Sequence, residues 1–167
     1  SQSPPLCMQL LPLAIGVLTL YSYTKRFTSL CHHVLGLALG FSAAGGWIAV
    51  TGSIATSAVL LGVAVTLWVA GFDIIYACQD VAFDREQGLQ SMPSALGIRR
   101  ALLLSKVLHG LTIGLMVLLS LQHPVWSGLW LGTLLMGGFL VWEHQLVSPD
   151  NLDQVDTAFF TANGKIS

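Results

Sequence analysis

Five stretches of the chain, residues 5–23, 34–51, 54–72, 98–121 and 126–146, are nearly free of charge and rich in Leu, Val, Ala and Gly. Each is close to the ~20 residues that an α-helix needs to cross a hydrocarbon core of about 30 Å. Their apolar residues run all the way round a helix, as lipid-embedded helices require. In lipid every backbone N–H and C=O must be satisfied internally, and a helix does this within one segment. These runs therefore predict an all-α fold, a polytopic transmembrane helical bundle. It has about five complete spans and the start of a sixth near Ala158.

Composition excludes the main alternative. Of 167 residues, 54% are hydrophobic and 9% charged, against about 25% charged in soluble domains. A soluble chain of this length could not hide so much apolar surface. The net charge of −1 leaves no basic footprint for nucleic acid. Residues 1–5 (SQSPP) lack the basic start of a signal peptide. Cys7, Cys31 and Cys78 show no CxxC or metal spacing and read as small apolar residues. No internal repeat or linker divides the chain, so a single transmembrane domain over 1–167 is expected, truncated at both ends.

The connecting segments alternate in charge. Residues 24–33 carry Lys25 and Arg26; residues 73–97 carry Asp73, Asp80, Asp84, Arg85 and Glu86, with Arg99 and Arg100 just after; residues 147–157 carry Asp150, Asp153 and Asp156. Residues 52–54 and 121–125 carry none. All charged loops thus fall on one side, which the positive-inside bias assigns to the cytoplasm.

Carboxylates cluster within residues 72–97 (FDIIYACQDVAFDREQGLQSMPSALG). On one continuous helix Asp73, Asp80 and Asp84 would lie within about 40° of one another. Like charges at i,i+4 repel, and a divalent cation removes that repulsion. Mg²⁺ suits the pair Asp80 and Asp84, because it is a hard ion held by one or two carboxylates with waters and substrate phosphates. Tyr76 and Gln79 add polar groups to the same run, and Arg85, Arg99 and Arg100 offer partners for phosphate oxygens. The competing reading is a solvated acidic face with snorkelling arginines. Tyr21 and Lys25, one turn apart, form a second constellation that could hold a leaving phosphate or orient an aromatic acceptor, or else anchor the helix at the interface. His32, His33, His109, His123 and His144 lack zinc-ligand spacing.

Two strings carry a resemblance. Tyr21-xxx-Lys25-Arg26-x-Thr28 resembles the YxxxK signature of the UbiA superfamily of intramembrane prenyltransferases. The run from Phe72 through Asp80-xxx-Asp84-Arg85 to Gly88-Leu89-x-Ser91-Met92-Pro93 resembles that family's second aspartate motif and the loop after it. Within the family the chain is most similar to 4-hydroxybenzoate polyprenyltransferases and to the related menaquinone-pathway enzymes. The resemblance implies nine helices around a cavity open laterally to lipid, with two Asp-rich motifs holding Mg²⁺ on a prenyl diphosphate. This chain would supply roughly helices four to eight and the start of nine. The first motif, NDxxDxxxD, is absent from it.

The expected function is Mg²⁺-dependent transfer of a polyprenyl group from prenyl diphosphate to an aromatic acid in ubiquinone or menaquinone biosynthesis, at a bacterial inner membrane. Asp80 and Asp84 are the expected metal ligands. Asp73, Tyr21 and Lys25 are the expected catalytic residues, and Tyr76, Gln79, Arg85, Arg99 and Arg100 the expected substrate contacts. A transporter using the carboxylates as an ion relay, or an inactive fragment, are the competing readings. A relay should lie mid-membrane, whereas these acids sit at one face.

Overall fold

The computed structural model describes residues 26–156 without a break, and beyond them residues 12, 15, 16, 19, 24, 161 and 164. The described residues fold as helices: α1 Cys31–Thr51, α2 Thr56–Ala77, α3 Val81–Glu86, α4 Met92–Leu96, α5 Ile98–Gln122 and α6 Ser127–Leu146. Beyond an isolated bridge between Ser148 and Asn151, they contain no β-structure. Helices α1, α2 and α5 are each long and apolar enough to cross a membrane. The protein is an integral membrane protein of all-α fold. The expected segment 5–23 and the expected sixth helix lie largely outside the described residues.

Two apolar runs differ from their expected bounds, for one reason. Helix α1 begins at Cys31 rather than 34, and α2 continues to Ala77 rather than ending at 72. The added residues include His32 and Asp73, whose side chains bond to each other. A polar residue that looks like a span boundary in sequence is carried inside the helix once a partner satisfies it.

Lipid offers no hydrophobic drive for one helix to pack on another, so close approach and side-chain hydrogen bonds must do this. Both occur here. A Cβ at Gly36 would run into the Thr66 carbonyl, and one at Gly40 into the Gly62 carbonyl. The GxxxG spacing of Gly36 and Gly40 thus sets α1 directly against α2. Helix α5 meets α2 differently. Ser105 Oγ donates to the Gly71 carbonyl (2.8 Å), His109 Nε2 to that of Trp68 (3.2 Å), and Thr112 Oγ1 to that of Ala64 (3.3 Å), sharing its proton with Leu108 O (3.0 Å). Gly71 provides the room, because a Cβ there would strike the His109 ring. Ser120 and Thr133 link α5 to α6 at 3.2 Å.

At the end without charged loops, His123 stacks on Trp126 with ring centroids 4.3 Å apart, and its Nε2 lies 2.9 Å from Ser57 Oγ. At the other end the end of α2, the start of α5 and residues Val147 and Val155 close over a buried cluster that includes Ile74, Ile75, Met92 and Ala101. This well-packed end carries the acidic segment. Large apolar residues left exposed along the helices, such as Leu37, Val63, Leu103, Leu111 and Leu134, are the surface expected against lipid.

Candidate active site

The acidic segment is not one helix. After Ala77 the amides of Cys78, Gln79 and Asp80 bond three residues back, to Ile75, Tyr76 and Ala77 (3.1, 3.1 and 3.2 Å). Such i→i−3 bonding tightens the coil to about three residues per turn. The chain then starts α3 at Val81 with Asp80 as its cap residue. The expected alignment of Asp73 with Asp80 and Asp84 assumed about 100° per residue throughout; three residues wound at about 120° turn Asp73 by about 60° relative to the other two. Asp73 belongs to α2; Asp80 and Asp84 belong to the start and middle of α3.

Within α3 the expected pair survives. The Asp84 amide donates to the Asp80 carbonyl at 2.7 Å, so the two side chains stand one turn apart. Asp80 is half-buried, and Asp84 is fully buried. Two carboxylates so placed have the hard-oxygen chemistry that a small divalent cation takes, with its other positions left to water and phosphate. Among the described residues no group of three His, Cys, Asp or Glu side chains gathers as a complete cation site. As a two-carboxylate half-site they fit; as a closed cage they do not.

Past α3, Gly88 takes φ +65°, a left-handed conformation that costs glycine little. The chain turns back into α4, whose first turn is closed by reciprocal bonds between Ser91 and Ser94: each backbone N–H donates to the other's hydroxyl. Gly97, at φ +82°, passes the chain directly into α5. Arg99 and Arg100 are exposed in the first turn of α5, and Arg85 is exposed on α3. None of the three forms an ion pair with a carboxylate among the described residues. Tyr76 is half-buried on α2, and Gln79 is exposed, its Nε2 donating to Asp156 Oδ1 at 3.2 Å. That bond ties the acidic segment to the loop after α6. Tyr21 and Lys25 lie outside the described residues.

The residue that sequence reasoning missed is His32. It is 3% exposed, and its Nδ1 lies 2.7 Å from Asp73 Oδ2. Its other ring nitrogen, Nε2, accepts the Met92 amide N–H at 3.3 Å. A neutral imidazole has one N–H, and the bond made by one nitrogen fixes the proton on the other. The proton therefore sits on Nδ1 and is donated to Asp73. Next to it, Cys31 Sγ lies 3.6 Å from the Gln90 carbonyl. Forty-one positions separate His32 from Asp73, so only the packing of α1 on α2 reveals the pair. The same holds for His109 and His144, whose Nδ1 and Nε2 lie 2.9 Å apart. Because His109 donates from Nε2 to Trp68, its Nδ1 accepts from His144. Cys78, at the end of α2, is buried, and burial pushes its thiol up to about 12.

The pattern of the UbiA prenyltransferase family matches residues 1–164. The mitochondrial 4-hydroxybenzoate polyprenyltransferase of Dictyostelium discoideum is 33% identical over 147 residues, which are 87% of this chain and 31% of that protein. The 4-hydroxybenzoate octaprenyltransferase of Chromohalobacter salexigens is 28% identical over 146 residues, 87% of this chain and 49% of that one. The apo structure of a UbiA homolog from Aeropyrum pernix K1 superposes with a TM-score of 0.82 at 28% identity, covering 95% of this chain and 60% of that chain. The chain thus spans about a third to a half of the curated relatives it matches.

Proposed function

The chain belongs to the UbiA prenyltransferase family, and we propose that it forms part of an enzyme that transfers a polyprenyl group from its diphosphate to 4-hydroxybenzoate or a related aromatic acid. In this reading residues 1–167 are one continuous transmembrane domain of that enzyme. The observation that carries the proposal is the pairing of Asp80 and Asp84 one turn apart on α3, in a chain similar to proteins named for that transfer.

Asp80 and Asp84 would hold Mg²⁺ jointly with groups from the rest of the enzyme. What the cation supplies when bound is neutralisation of the diphosphate charge. The remaining work falls to side chains of this chain. Arg85, Arg99 and Arg100 are exposed and would bind phosphate oxygens bidentately. Lys25 and Tyr21 take the departing diphosphate, and Tyr76 and Gln79 line the approach to it. Asp73, with one oxygen held by His32, orients the acceptor. The allylic C–O bond breaks with its electrons leaving on the diphosphate, a C–C bond forms to the ring, and the ring proton departs. An apolar surround keeps water from the allylic cation and holds the prenyl tail, each buried CH₂ contributing about 0.8 kcal/mol. The charged loops face the cytoplasm of a bacterial inner membrane, where the diphosphate substrate is met.

The test is transfer of a labelled prenyl group by the full-length protein in membranes, compared with its Asp80→Ala and Asp84→Ala variants. Both are expected to lose turnover. Unchanged turnover in both would sink the assignment.

A further inference from the structure

Asp73 is the one carboxylate of the acidic segment that lies within a spanning helix, and it is bonded on one side only. Oδ2 takes the His32 proton; among the described residues no bond is formed at Oδ1, and the side chain keeps 17% of its surface open. His32 itself is nearly inaccessible and bonded at both nitrogens. Its second bond, to the Met92 amide, ends on the first turn of α4, which the Ser91–Ser94 reciprocal cap closes. That turn receives the chain as it returns from α3. One imidazole therefore fixes the rotation of Asp73 and its position relative to the Asp80–Asp84 turn.

We propose that His32 is a positioning residue for the aromatic acceptor: it locks Asp73 so that Oδ1 alone is presented to the acceptor's polar group, in register with the diphosphate end of the site. This rests on the prenyl-transfer reading above. A hydrogen bond to a charged group is strong enough that losing it changes rates by about 10- to 100-fold. The loss should fall on the acceptor, because the diphosphate is bound by other side chains.

The experiment uses the full-length protein in nanodiscs, with a labelled prenyl diphosphate and 4-hydroxybenzoate. His32→Phe keeps a ring and removes both nitrogens. His32→Asn keeps an N–H close to Nδ1, and His32→Gln moves its amide out toward Nε2. The expected result is a fall of about 10- to 100-fold in kcat/KM for the acceptor in the Phe and Gln variants. KM for the prenyl diphosphate should stay within about twofold, and Asn should recover most of the loss. Size-exclusion profiles accompany each variant; if Phe does not give a monodisperse peak, the contrast between Asn and Gln decides. Equal losses in Asn and Gln, or a loss shared by both substrates, overturn the positioning role and leave packing in its place. Full acceptor kinetics in His32→Phe overturn it as well. In each of these cases wild-type transfer persists and the function stands; a wild-type protein without prenyl transfer overturns both.

Discussion

The Nδ1–H of His32 donates to Oδ2 of Asp73 across 2.7 Å, joining the first turn of α1 to the last turns of α2. Both groups are largely withdrawn from solvent, so removing either partner strands the other. His32→Ala and Asp73→Ala are each expected to cost about 1.5–3 kcal/mol of stability. The double variant should cost clearly less than the sum, with a coupling of at least about 0.5 kcal/mol. Thermal unfolding of the four proteins in one detergent measures this; additive effects would show that the bond contributes nothing.

Gly71 is expected to be the least replaceable glycine of α2, because a Cβ there meets the His109 ring, which is itself held by Trp68 and His144. Gly71→Ala should destabilise by about 1–3 kcal/mol through overpacking. Adding His109→Ala removes the obstacle, so the second substitution should cost less in the Gly71→Ala background than in the wild type. Chemical denaturation of the single and double variants in mixed micelles would reveal the difference.

Cys78 should resist thiol reagents in the folded protein. Burial both hides it and pushes its thiol up to about 12. Since the pKa is raised, the thiol is neutral throughout the physiological range, with a thiolate fraction of about 10⁻⁴ at pH 8. Raising the pH from 7 to 9 should leave it unlabelled by iodoacetamide, while denaturation should expose it. Peptide mass spectrometry on the two samples makes the comparison, and rapid native labelling would contradict the packing described.

Chelation should abolish prenyl transfer by the full-length protein, and added Mg²⁺ should restore it. Asp80→Asn and Asp84→Asn should raise the Mg²⁺ concentration needed for half-maximal rate and lower the rate at saturation by about 100-fold. Asp84, fully buried, should also lose stability on substitution, whereas half-buried Asp80 should lose mainly activity. Rates titrated against Mg²⁺ alongside melting curves separate the two effects.

What was legible in the sequence depended on how far apart the interacting residues lie. The apolar runs that became α1, α2, α5 and α6 needed no tertiary information, because a charge-free run of bilayer length declares itself. Asp80 and Asp84 were legible as a pair since they stand four positions apart, the first capping the short helix that holds the second. The rotation of Asp73 relative to them was not legible, because three i→i−3 bonds at Cys78–Asp80 change the winding, and no residue type there announces it. His32 read as part of a loop, since its value comes from a partner forty-one positions away. The family was legible because its motifs are contiguous strings, and the match over residues 1–164 agrees.

The three bonds from Ser105, His109 and Thr112 to carbonyls of α2 act as a key. Their donors differ in length and shape, so sliding α5 by one turn, about 5.4 Å, would bring a short hydroxyl where an imidazole must reach and leave a ring without room. No neighbouring notch fits, and no water is at hand in lipid to replace a lost bond. Helices α2 and α5 therefore move as one piece. In the proposed enzyme a substrate would therefore enter without parting these two helices, and spin labels on α2 and α5 should keep their separation when a prenyl diphosphate is added.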